Sequence, residues 1–307
     1  MPPLVRARGL TKRFASFTAV DHIDFDVEPG EAFGFLGPNG AGKTSTMRMI
    51  ACASPVSDGE LRVIDMNPAT DASRIKARLG VIPQLDNLDA ELTVAENLLM
   101  YARYFDIPRA TARQRAQELL EFVQLSERAN SEVEPLSGGM KRRLTIARGL
   151  INEPTIILLD EPTTGLDPQA RHLIWDRLYR LRRQGATLLL TTHYMDEAEQ
   201  LCDRLVVMDK GRFMAEGSPA GLIAQYSSKE VVEVRFGSDR NQDIADQIAD
   251  LGDRVEVLPD RILLYTSAGE AALERIVGRG LHPMTSLVRR SSLEDVFLRL
   301  TGRSLVD

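Results

Sequence analysis

Short apolar runs alternate along the chain with longer segments whose apolar residues recur at helical spacing. The apolar runs lie at residues 32–36, 80–83, 155–159 and 186–192. Uninterrupted runs of this length are typical of strands buried on both faces of a parallel sheet. Helical patterns lie at residues 44–50, 93–104, 110–124, 138–150 and 168–183. This alternation predicts an α/β fold in which helices cover a sheet.

Two regions depart from this alternation. Residues 5–10 and 19–27 have the pattern of strands joined by turns, which predicts a β-rich region, an antiparallel β subdomain, ahead of the first buried strand. Residues 85–150 have mainly helical patterns. We therefore expect a helical subdomain over about residues 85–150, beside the core of the domain.

A change of pattern near residues 227–229 predicts a domain boundary. Beyond it, strands are predicted at residues 232–236, 255–258 and 262–265, and helices near residues 244–251 and 273–277. Ser291 and Glu294 are predicted to cap a last helix. No catalytic arrangement is evident in this part. The sequence thus predicts an α/β domain over residues 1–226 and a small α+β accessory domain over residues 229–307.

The composition is that of an ordinary globular protein, with 43% hydrophobic and 27% charged residues among 307. Its net charge of −6 argues against a protein that chiefly binds nucleic acid. No apolar run approaches the roughly 18 residues that span a bilayer, and the N-terminus lacks the apolar segment of a signal peptide. We expect a cytosolic protein that reaches the membrane through a partner. Cys52 and Cys202 are expected to be buried and reduced.

The segment between the strand at 32–36 and the helix at 44–50 fits the pattern G-x-x-x-x-G-K-[ST]. It consists of Gly37, Pro38, Asn39, Gly40, Ala41, Gly42, Lys43 and Thr44, here called the phosphate loop. Its glycines permit a tight turn that presents N–H groups to an anion, and the following helix adds its dipole. Lys43 is placed to neutralise the β- and γ-phosphates and Thr44 to ligate Mg²⁺. The loop predicts binding of a nucleoside triphosphate.

Polar residues follow two of the apolar strands. Asp160 and Glu161 end the strand at 155–159, and His193 ends the strand at 186–192. Ligands of parallel α/β sheets bind outside the carboxyl ends of the strands. Asp160 therefore suits the Mg²⁺ shell and Glu161 the activation of a water, the alternative being two surface acids at a turn. The other histidines are expected to be structural: His22, His172 and His282.

Phe14 follows Lys12 and Arg13 in a predicted loop ahead of the phosphate loop. An exposed aromatic ring there can stack on a base. Packing in the core explains the same residue equally well, so both interpretations stay open.

Gly138 and Gly139 begin the helix predicted at 138–150. Two glycines at a helix start leave N–H groups uncovered, which makes a second anion-binding end. The basic residues that follow, 141–143, are expected to form a solvated face without a special role.

Together these motifs resemble the ATP-binding subunit of an ABC transporter. The resemblance covers residues 4–222 and has the family's elements in order: the phosphate loop, Gln84 as the Q-loop glutamine, residues 136–139 as the signature, Asp160 with Glu161, residues 164–167 as the D-loop and His193 as the switch histidine. More narrowly, the chain looks like the export-type subfamily that includes daunorubicin-resistance and nodulation-factor (lipo-oligosaccharide) exporters. The supporting segments are residues 83–105, 136–144, 159–175 and 292–302.

The resemblance implies how the nucleotide is held. Two cassettes of this family meet head to tail, so ATP lies between the phosphate loop of one and the signature of the other. Carried over, Phe14 stacks on the adenine and Val20 lines the same pocket, while residues 39–45 hold the phosphates. The residues that reach the phosphates or the opposite nucleotide then also include Ser45, Ser137, Gly138 and Gly139.

The resemblance also implies the catalytic roles. Thr44, Gln84 and Asp160 surround Mg²⁺, Glu161 polarises the attacking water, and His193 contacts the γ-phosphate. Residues 85–105 lie against the cytoplasmic coupling helix of a separate permease. The expected protein is therefore an ATP hydrolase that dimerises, sits on the cytoplasmic side of the inner membrane and powers export of a drug, lipid or lipo-oligosaccharide-like substrate.

Two rival functions follow from the same resemblance. One is an importer subunit whose C-terminal domain is regulatory. The other is a soluble ABC ATPase that acts on nucleic acid or ribosomes, although such proteins carry two cassettes or a long coiled coil, and this chain has one cassette. A purely structural phosphate-loop protein would show no hydrolysis.

The chain departs from the commonest family pattern at two places. Met140 stands where a glutamine often follows the signature glycines, which puts a polar contact to the nucleotide in doubt. Residues 43–45 read Lys-Thr-Ser, where Lys-Ser-Thr is frequent, and both hydroxyls are kept.

Overall fold

A computed structural model describes residues 2–237 and 241–302. The chain divides into two compact units, Met1–Glu216 and Gly217–Asp307. The structural division therefore lies before the helix Pro219–Tyr226, which the sequence pattern places in the ATP-binding domain. This helix packs against the helix Leu293–Thr301 of the second unit, and its Leu222 is buried. Those contacts are the reason that it groups with the C-terminal part.

The first unit contains two sheets among its described residues. Its strands are β1 (Val5–Phe14), β2 (Phe17–Val27), β3 (Ala32–Leu36), β4 (Asp58–Val63), β5 (Leu79–Ile82), β6 (Ile156–Asp160), β7 (Thr187–Thr192), β8 (Arg204–Asp209) and β9 (Arg212–Gly217). One sheet is antiparallel, with the order β2-β1-β4, and the other has the order β5-β6-β7-β3-β8-β9. Neighbours from β5 to β8 are parallel. The predicted fold class is confirmed.

The central strands are buried because their sequences are apolar on both faces. All five residues of β3 and all six of β7 are buried. Phe33 and Phe35 of β3 pack on Phe25 of β2, with ring centroids 5.8 and 5.4 Å apart. This aromatic contact joins the antiparallel sheet to the central sheet, so the two form one hydrophobic core.

The helices of the first unit cover the sheet and form the predicted helical region. They are α1 (Lys43–Ile50), α2 (Ala72–Lys76), α3 (Val94–Arg103), α4 (Arg109–Phe122), a 3₁₀ turn at Ser126–Arg128, α5 (Gly138–Leu150), α6 (Pro168–Arg183) and α7 (Met195–Leu201). Helix α3 begins with a capping box, in which Thr93 and Glu96 exchange hydrogen bonds. Helices α3, α4 and α5 share a core that includes Leu98, Leu120 and Leu144.

The second unit is an α+β structure. It contains α8 (Pro219–Tyr226), β10 (Glu230–Arg235), α9 (Asn241–Ile248), a 3₁₀ turn at Ala249–Leu251, β11 (Arg254–Val257), β12 (Ile262–Thr266), α10 (Gly269–Gly278), β13 (Thr285–Arg290) and α11 (Leu293–Thr301). The strands form an antiparallel sheet in the order β11-β12-β10-β13. Strand β13 is absent from the sequence prediction because it is a largely exposed edge strand with little apolar alternation.

The prediction for the start of α11 is wrong by one residue. Ser292, not Ser291, is the N-cap, and its N–H donates to Asp295 Oδ2 at 2.8 Å. Ser291 instead donates its hydroxyl to the Ser228 carbonyl at 2.5 Å. Two adjacent serines followed by two acids allow either register, so the pattern alone does not select one.

Both cysteines are free thiols. Cys202 is buried beneath β3, where its Sγ would lie 2.5 Å from a Cβ added to Gly34. Burial raises the pKa of both thiols, and Cys52 is the more exposed of the two. Among the described residues, no helix is long and apolar enough to cross a membrane.

Candidate nucleotide-binding and catalytic site

The predicted site residues follow four strands that are neighbours in the central sheet. Gln84 comes after β5, Asp160 ends β6 and Glu161 follows it, His193 follows β7, and the phosphate loop follows β3. Asp160 pairs in register with Thr191 of β7, and Thr192 of β7 pairs with Leu36 of β3. Because these strands are parallel, the fold brings all these residues to one edge of the sheet.

The phosphate loop is shaped by glycines at positions that no other residue fits. Gly42 has φ +106°, and a Cβ there would lie 2.3 Å from the Ala19 carbonyl oxygen. A Cβ on Gly37 would lie 2.1 Å from the Met208 carbonyl oxygen. Helix α1 begins directly after Gly42, which is its N-cap. The first N–H groups of α1 are therefore left for an anion.

Lys43 is buried and directed into its own loop. Its Nζ donates to the carbonyl oxygens of Gly37 at 2.7 Å and Pro38 at 3.0 Å, and lies 3.7 Å from Glu161 Oε1. Burial lowers the pKa of Lys43, against the opposing effect of the Glu161 and Asp160 charges. Lys43 also lines the cavity beside residues 39–45, where its ammonium can meet a phosphate.

Oxygen ligands suited to Mg²⁺ converge beside the loop. Asp160 Oδ1 accepts hydrogen bonds from Thr44 Oγ1 at 3.1 Å and from Thr191 Oγ1 at 2.5 Å. Thr44, Gln84 and Asp160 line one cavity of about 320 Å³. Among the described residues, no group of three or more His, Cys, Asp or Glu side chains could hold a metal ion by itself. A hard cation here would need phosphate and water oxygens besides these, which is how Mg²⁺ is usually bound with nucleotides.

Glu161 is the most constrained of the site residues. Its Oε2 accepts from Gln84 Nε2 at 3.0 Å and from Thr164 Oγ1 at 3.1 Å. Its backbone φ is +46°, a left-handed conformation that is costly for a non-glycine residue. The Glu161 N–H donates to the Thr191 carbonyl and hydroxyl oxygens, both at 3.1 Å, which helps to hold this conformation.

His193 lies beside the same carboxylate. Its Nδ1 is 3.3 Å from Glu161 Oε2, although the alignment is not that of a hydrogen bond. His193 and, more weakly, Lys43 hold the pKa of Glu161 below its ordinary value, against the opposing effect of burial. Glu161 is therefore an ionised carboxylate at neutral pH, the state that a general base requires.

The predicted adenine-binding residues lie in different environments. Phe14 is 50% exposed and lines a cavity of about 450 Å³ with residues 39–45, Gln84 and Glu161. Its neighbour across the β1–β2 hairpin, Phe17, is 60% exposed and lines the same cavity. Val20 is buried below the phosphate loop, against Gly42, and is not part of the lining. Exposure disfavours the interpretation of Phe14 as a core residue.

The signature residues lie outside that cavity. Ser137 is the N-cap of α5 and accepts the N–H of Met140 at 3.3 Å, while Ser137 and Gly138 are exposed. None of the described residues lining the phosphate-loop cavity comes from the signature. Exposed N–H groups at a serine-capped helix start are available to an anion from another molecule.

The expectation of a solvated basic face at residues 141–143 is wrong for Arg142. This side chain is only 4% exposed and donates to the backbone carbonyls of Gln84, Glu161 and Pro162. Because Arg142 stands in the basic run 141–143, the sequence pattern gave no sign that its side chain is buried. Thr191, which holds Asp160, and Phe17 were likewise missed, since neither belongs to the quoted motifs.

The arrangement has the parts needed to cleave a phosphoanhydride. Backbone N–H groups and Lys43 can hold phosphates, Thr44 and Asp160 offer oxygens to a cation, and Glu161 is an ionised base at the same edge. Phosphoryl transfer depends mainly on positioning and on charge stabilisation, which these groups supply.

Comparison with known proteins agrees with this chemistry. Residues 20–164 match the family model described as ABC transporter, and residues 241–302 match the model described as the C-terminal domain of the nodulation factor export protein NodI. The Nod factor export ATP-binding protein I of Ralstonia nicotianae is 47% identical over 99% of this chain and 96% of its own length. The protein of the same description from Cupriavidus metallidurans is 45% identical over the full length of both chains. This chain belongs to the ABC transporter ATPase family.

Within the family it is of the nodulation-exporter type, because similarity extends through the C-terminal unit. Among solved structures, an ATP-binding subunit of an ABC transporter is 29% identical, with a TM-score of 0.66 over 73% of this chain and 93% of that chain. A dimeric ATP-binding cassette in a post-hydrolysis state with ADP and Pi is 27% identical, with a TM-score of 0.64 over 70% of this chain and 98% of that one. The chain is thus an ATP-binding and ATP-hydrolysing ABC subunit, and an exporter subunit is favoured over the importer and non-transport alternatives.

Proposed function

We propose that this chain drives a membrane exporter by hydrolysing MgATP between two copies of its first unit. The observation that carries the proposal is the placement of Glu161. An ionised carboxylate lies at the strand end beside the phosphate loop, hydrogen-bonded to the Q-loop glutamine and next to His193. A protein that only binds nucleotide has no need for a base held in a strained conformation at this point.

In this proposal Thr44, Gln84 and Asp160 would hold Mg²⁺ together with phosphate oxygens. The amide nitrogen of Gln84 faces Glu161, which leaves its amide oxygen for the cation. Lys43 and the N–H groups of residues 39–45 hold the phosphates, and Phe14 stacks on the adenine. When bound, the cation would neutralise charge on the phosphates. Glu161 accepts the proton of the attacking water. His193 contacts the γ-phosphate from the side of β7.

The second nucleotide contact comes from another copy of the chain. The signature residues Ser137, Gly138 and Gly139 lie outside the chain's own phosphate-loop cavity, and the first two are exposed. Two solved relatives are dimeric cassettes. ATP that bridges two copies favours the closed dimer only through contacts made in that state. Hydrolysis removes the γ-phosphate contact and reopens the dimer.

The partner in the membrane is proposed to be a separate permease on the cytoplasmic side. Its docking surface is the segment of residues 85–105, in which Leu85 and Tyr104 are 73% and 74% exposed. Both are large apolar or aromatic side chains, which are enriched in protein interfaces. Relatives are named for Nod factor export, so lipo-oligosaccharide-like molecules are the first substrates to test.

The decisive experiment is to purify the full chain from its native membrane and identify the membrane protein that accompanies it. We expect Tyr104→Asp to lose this protein, whereas the control Tyr179→Asp, on the exposed face of α6, retains it. ATPase stimulation is then compared for lipo-oligosaccharides, lipids and drugs. ATP hydrolysis without any retained membrane protein would contradict the exporter function and favour a soluble ATPase.

A further inference from the structure

Arg142 lies one turn into α5 and binds the backbone of two separate segments of the site. Its Nε donates to the Pro162 carbonyl at 2.6 Å, and its Nη2 to those of Asp160 and Glu161 at 3.3 and 3.4 Å. Its Nη1 donates to the carbonyls of Pro83 and, at 3.4 Å, Gln84. The fork of a guanidinium allows one buried side chain to serve both segments.

Among the described ion pairs, Arg142 has one acidic partner, Asp86. Asp86 Oδ1 lies 3.5 Å from Nη1, and the Thr145 hydroxyl donates to the same carboxylate at 3.2 Å. Asp86 belongs to residues 83–87, which follow β5 and are here called the Q-loop segment. This ion pair therefore fixes that segment to α5. An arginine that is nearly inaccessible to solvent and that binds mostly carbonyls would be costly to keep for stability alone.

A second arginine of α5 makes a narrower set of contacts. Arg148 donates to the carbonyls of Asn87 at 2.6 Å and Asp86 at 2.9 Å. It therefore binds the Q-loop segment as Arg142 does, but makes none of the described hydrogen bonds to residues 160–162. Arg142 thus contacts both the Q-loop segment and the end of β6, whereas Arg148 contacts only the Q-loop segment. Comparing the two residues isolates the effect of the contact with β6.

The end of β6 is where such an attachment has consequences for catalysis. Glu161 has a left-handed φ of +46°, and Arg142 binds the carbonyls of this residue and of both its neighbours. A conformation of this kind persists only when surrounding contacts determine it. A shift of α5 would thus move the backbone that positions the side chains of Asp160 and Glu161. It would move Gln84 at the same time.

We propose that Arg142 is a positioning residue that couples the signature helix to the catalytic groups of the same chain. This inference rests on the proposed arrangement in which Ser137, at the N-terminus of α5, contacts the nucleotide of the second copy. Binding of that nucleotide fixes the position of α5. The hydrogen bonds of Arg142 then hold the backbone of Gln84 and Glu161 in place. The catalytic site of each copy thereby becomes fully active only when the signature of the same copy contacts the nucleotide of the other copy. Hydrolysis is therefore cooperative.

The test compares Arg142→Lys with the matched control Arg148→Lys in the full chain. Lysine keeps the charge but loses the fork, so it can serve only one of the two segments. We expect Arg142→Lys to bind ATP as the wild type does, yet to lose about 10–100-fold in kcat, the usual size when a group that orients the ligands of a metal site is changed. Its Hill coefficient for ATP should fall to about 1, from a wild-type value above 1. Arg148→Lys should keep both parameters.

Each other result overturns the inference. Wild-type kcat and cooperativity in Arg142→Lys would show that Arg142 does not couple α5 to the catalytic groups. Equal losses in Arg148→Lys would show that any weakening of the contacts of α5 has the same effect. Loss of ATP binding together with kcat would assign Arg142 to the fold of the site. If Arg142→Lys does not fold, Arg142→Gln is measured in the same way, and failure of both to fold would make the residue structural. A wild-type chain without turnover would instead refute the proposed function.

Discussion

The change Glu161→Gln separates nucleotide binding from chemistry. In the structure, Glu161 Oε2 accepts from Gln84 and Thr164, at 3.0 and 3.1 Å. The oxygen of a glutamine can keep both hydrogen bonds, but its amide group would face Lys43, now 3.7 Å from Oε1. Hydrogen bonds to a charged group are worth about 1.5–3 kcal/mol and neutral ones about half as much. We therefore expect stability to fall by roughly 1–2 kcal/mol, which is small beside the about 5–15 kcal/mol of a typical domain.

The effect on rate should be much larger. Glutamine cannot accept a proton from water, and general-base assistance contributes about 10²–10⁴ in rate. This corresponds to roughly 3–5 kcal/mol of activation free energy. The phosphate contacts of Lys43 and Thr44 are retained, so equilibrium dialysis with labelled ATP should give wild-type affinity while turnover falls to near background.

The same variant tests the two-copy arrangement. ATP that is bound but not hydrolysed should hold two chains together, so size-exclusion chromatography with ATP and Mg²⁺ should show a dimer. Ser137→Arg on this background should abolish it. A variant that hydrolyses ATP normally would refute the assignment of Glu161 as the base. An inactive variant that stays monomeric would keep that assignment and show that closure requires the permease.

Three further changes test other parts of the structure. Lys43→Ala should abolish tight ATP binding and leave the fold intact; unchanged affinity in dialysis would contradict the phosphate-loop assignment. Phe14→Ala should weaken ATP binding by about 1–3 kcal/mol; a loss with Phe17→Ala alone would assign stacking to the neighbour. Asp295→Asn should destabilise the second unit by about 3–5 kcal/mol in urea unfolding, because it leaves Arg289 without its buried partner; wild-type stability would contradict this.

The stabilisation by Asp295 should also depend on pH. Burial alone would raise the pKa of this carboxyl, but hydrogen bonds from Arg289 and Ser292 outweigh burial and lower it. Its contribution is therefore present above the ordinary aspartate value of about 3.9 and is lost as pH falls through the lower folded value.

The sequence was most informative where the local pattern of residues is compatible with a single structure. Fully apolar runs predicted β3, β6 and β7, and the strand–loop–helix order around Lys43 placed the phosphate loop. Because parallel strands end at one edge, the same reasoning put Asp160, Glu161 and His193 near the loop. These predictions rest on local chemistry together with a simple rule of sheet geometry.

Tertiary contacts account for what the sequence did not reveal. Arg142 resembles any surface arginine in sequence, and only the approach of the Q-loop segment and the end of β6 buries it. Strand β13 is fixed by pairing with β10 and not by its own pattern. Helix α8 joins the second unit through α11, more than sixty positions downstream, a contact that no local signal reports.

Because Cys202 is buried beneath Gly34, the reaction of its thiol with alkylating reagents can report unfolding of the chain. A thiol reacts as the thiolate, and burial suppresses that form at Cys202 while also blocking access. Alkylating reagents should therefore modify Cys52 in the native protein and reach Cys202 only when the central sheet opens. The rate at which Cys202 becomes modified then measures opening of β3, without any engineered label. Comparing this rate with and without nucleotide shows by how much binding slows the opening.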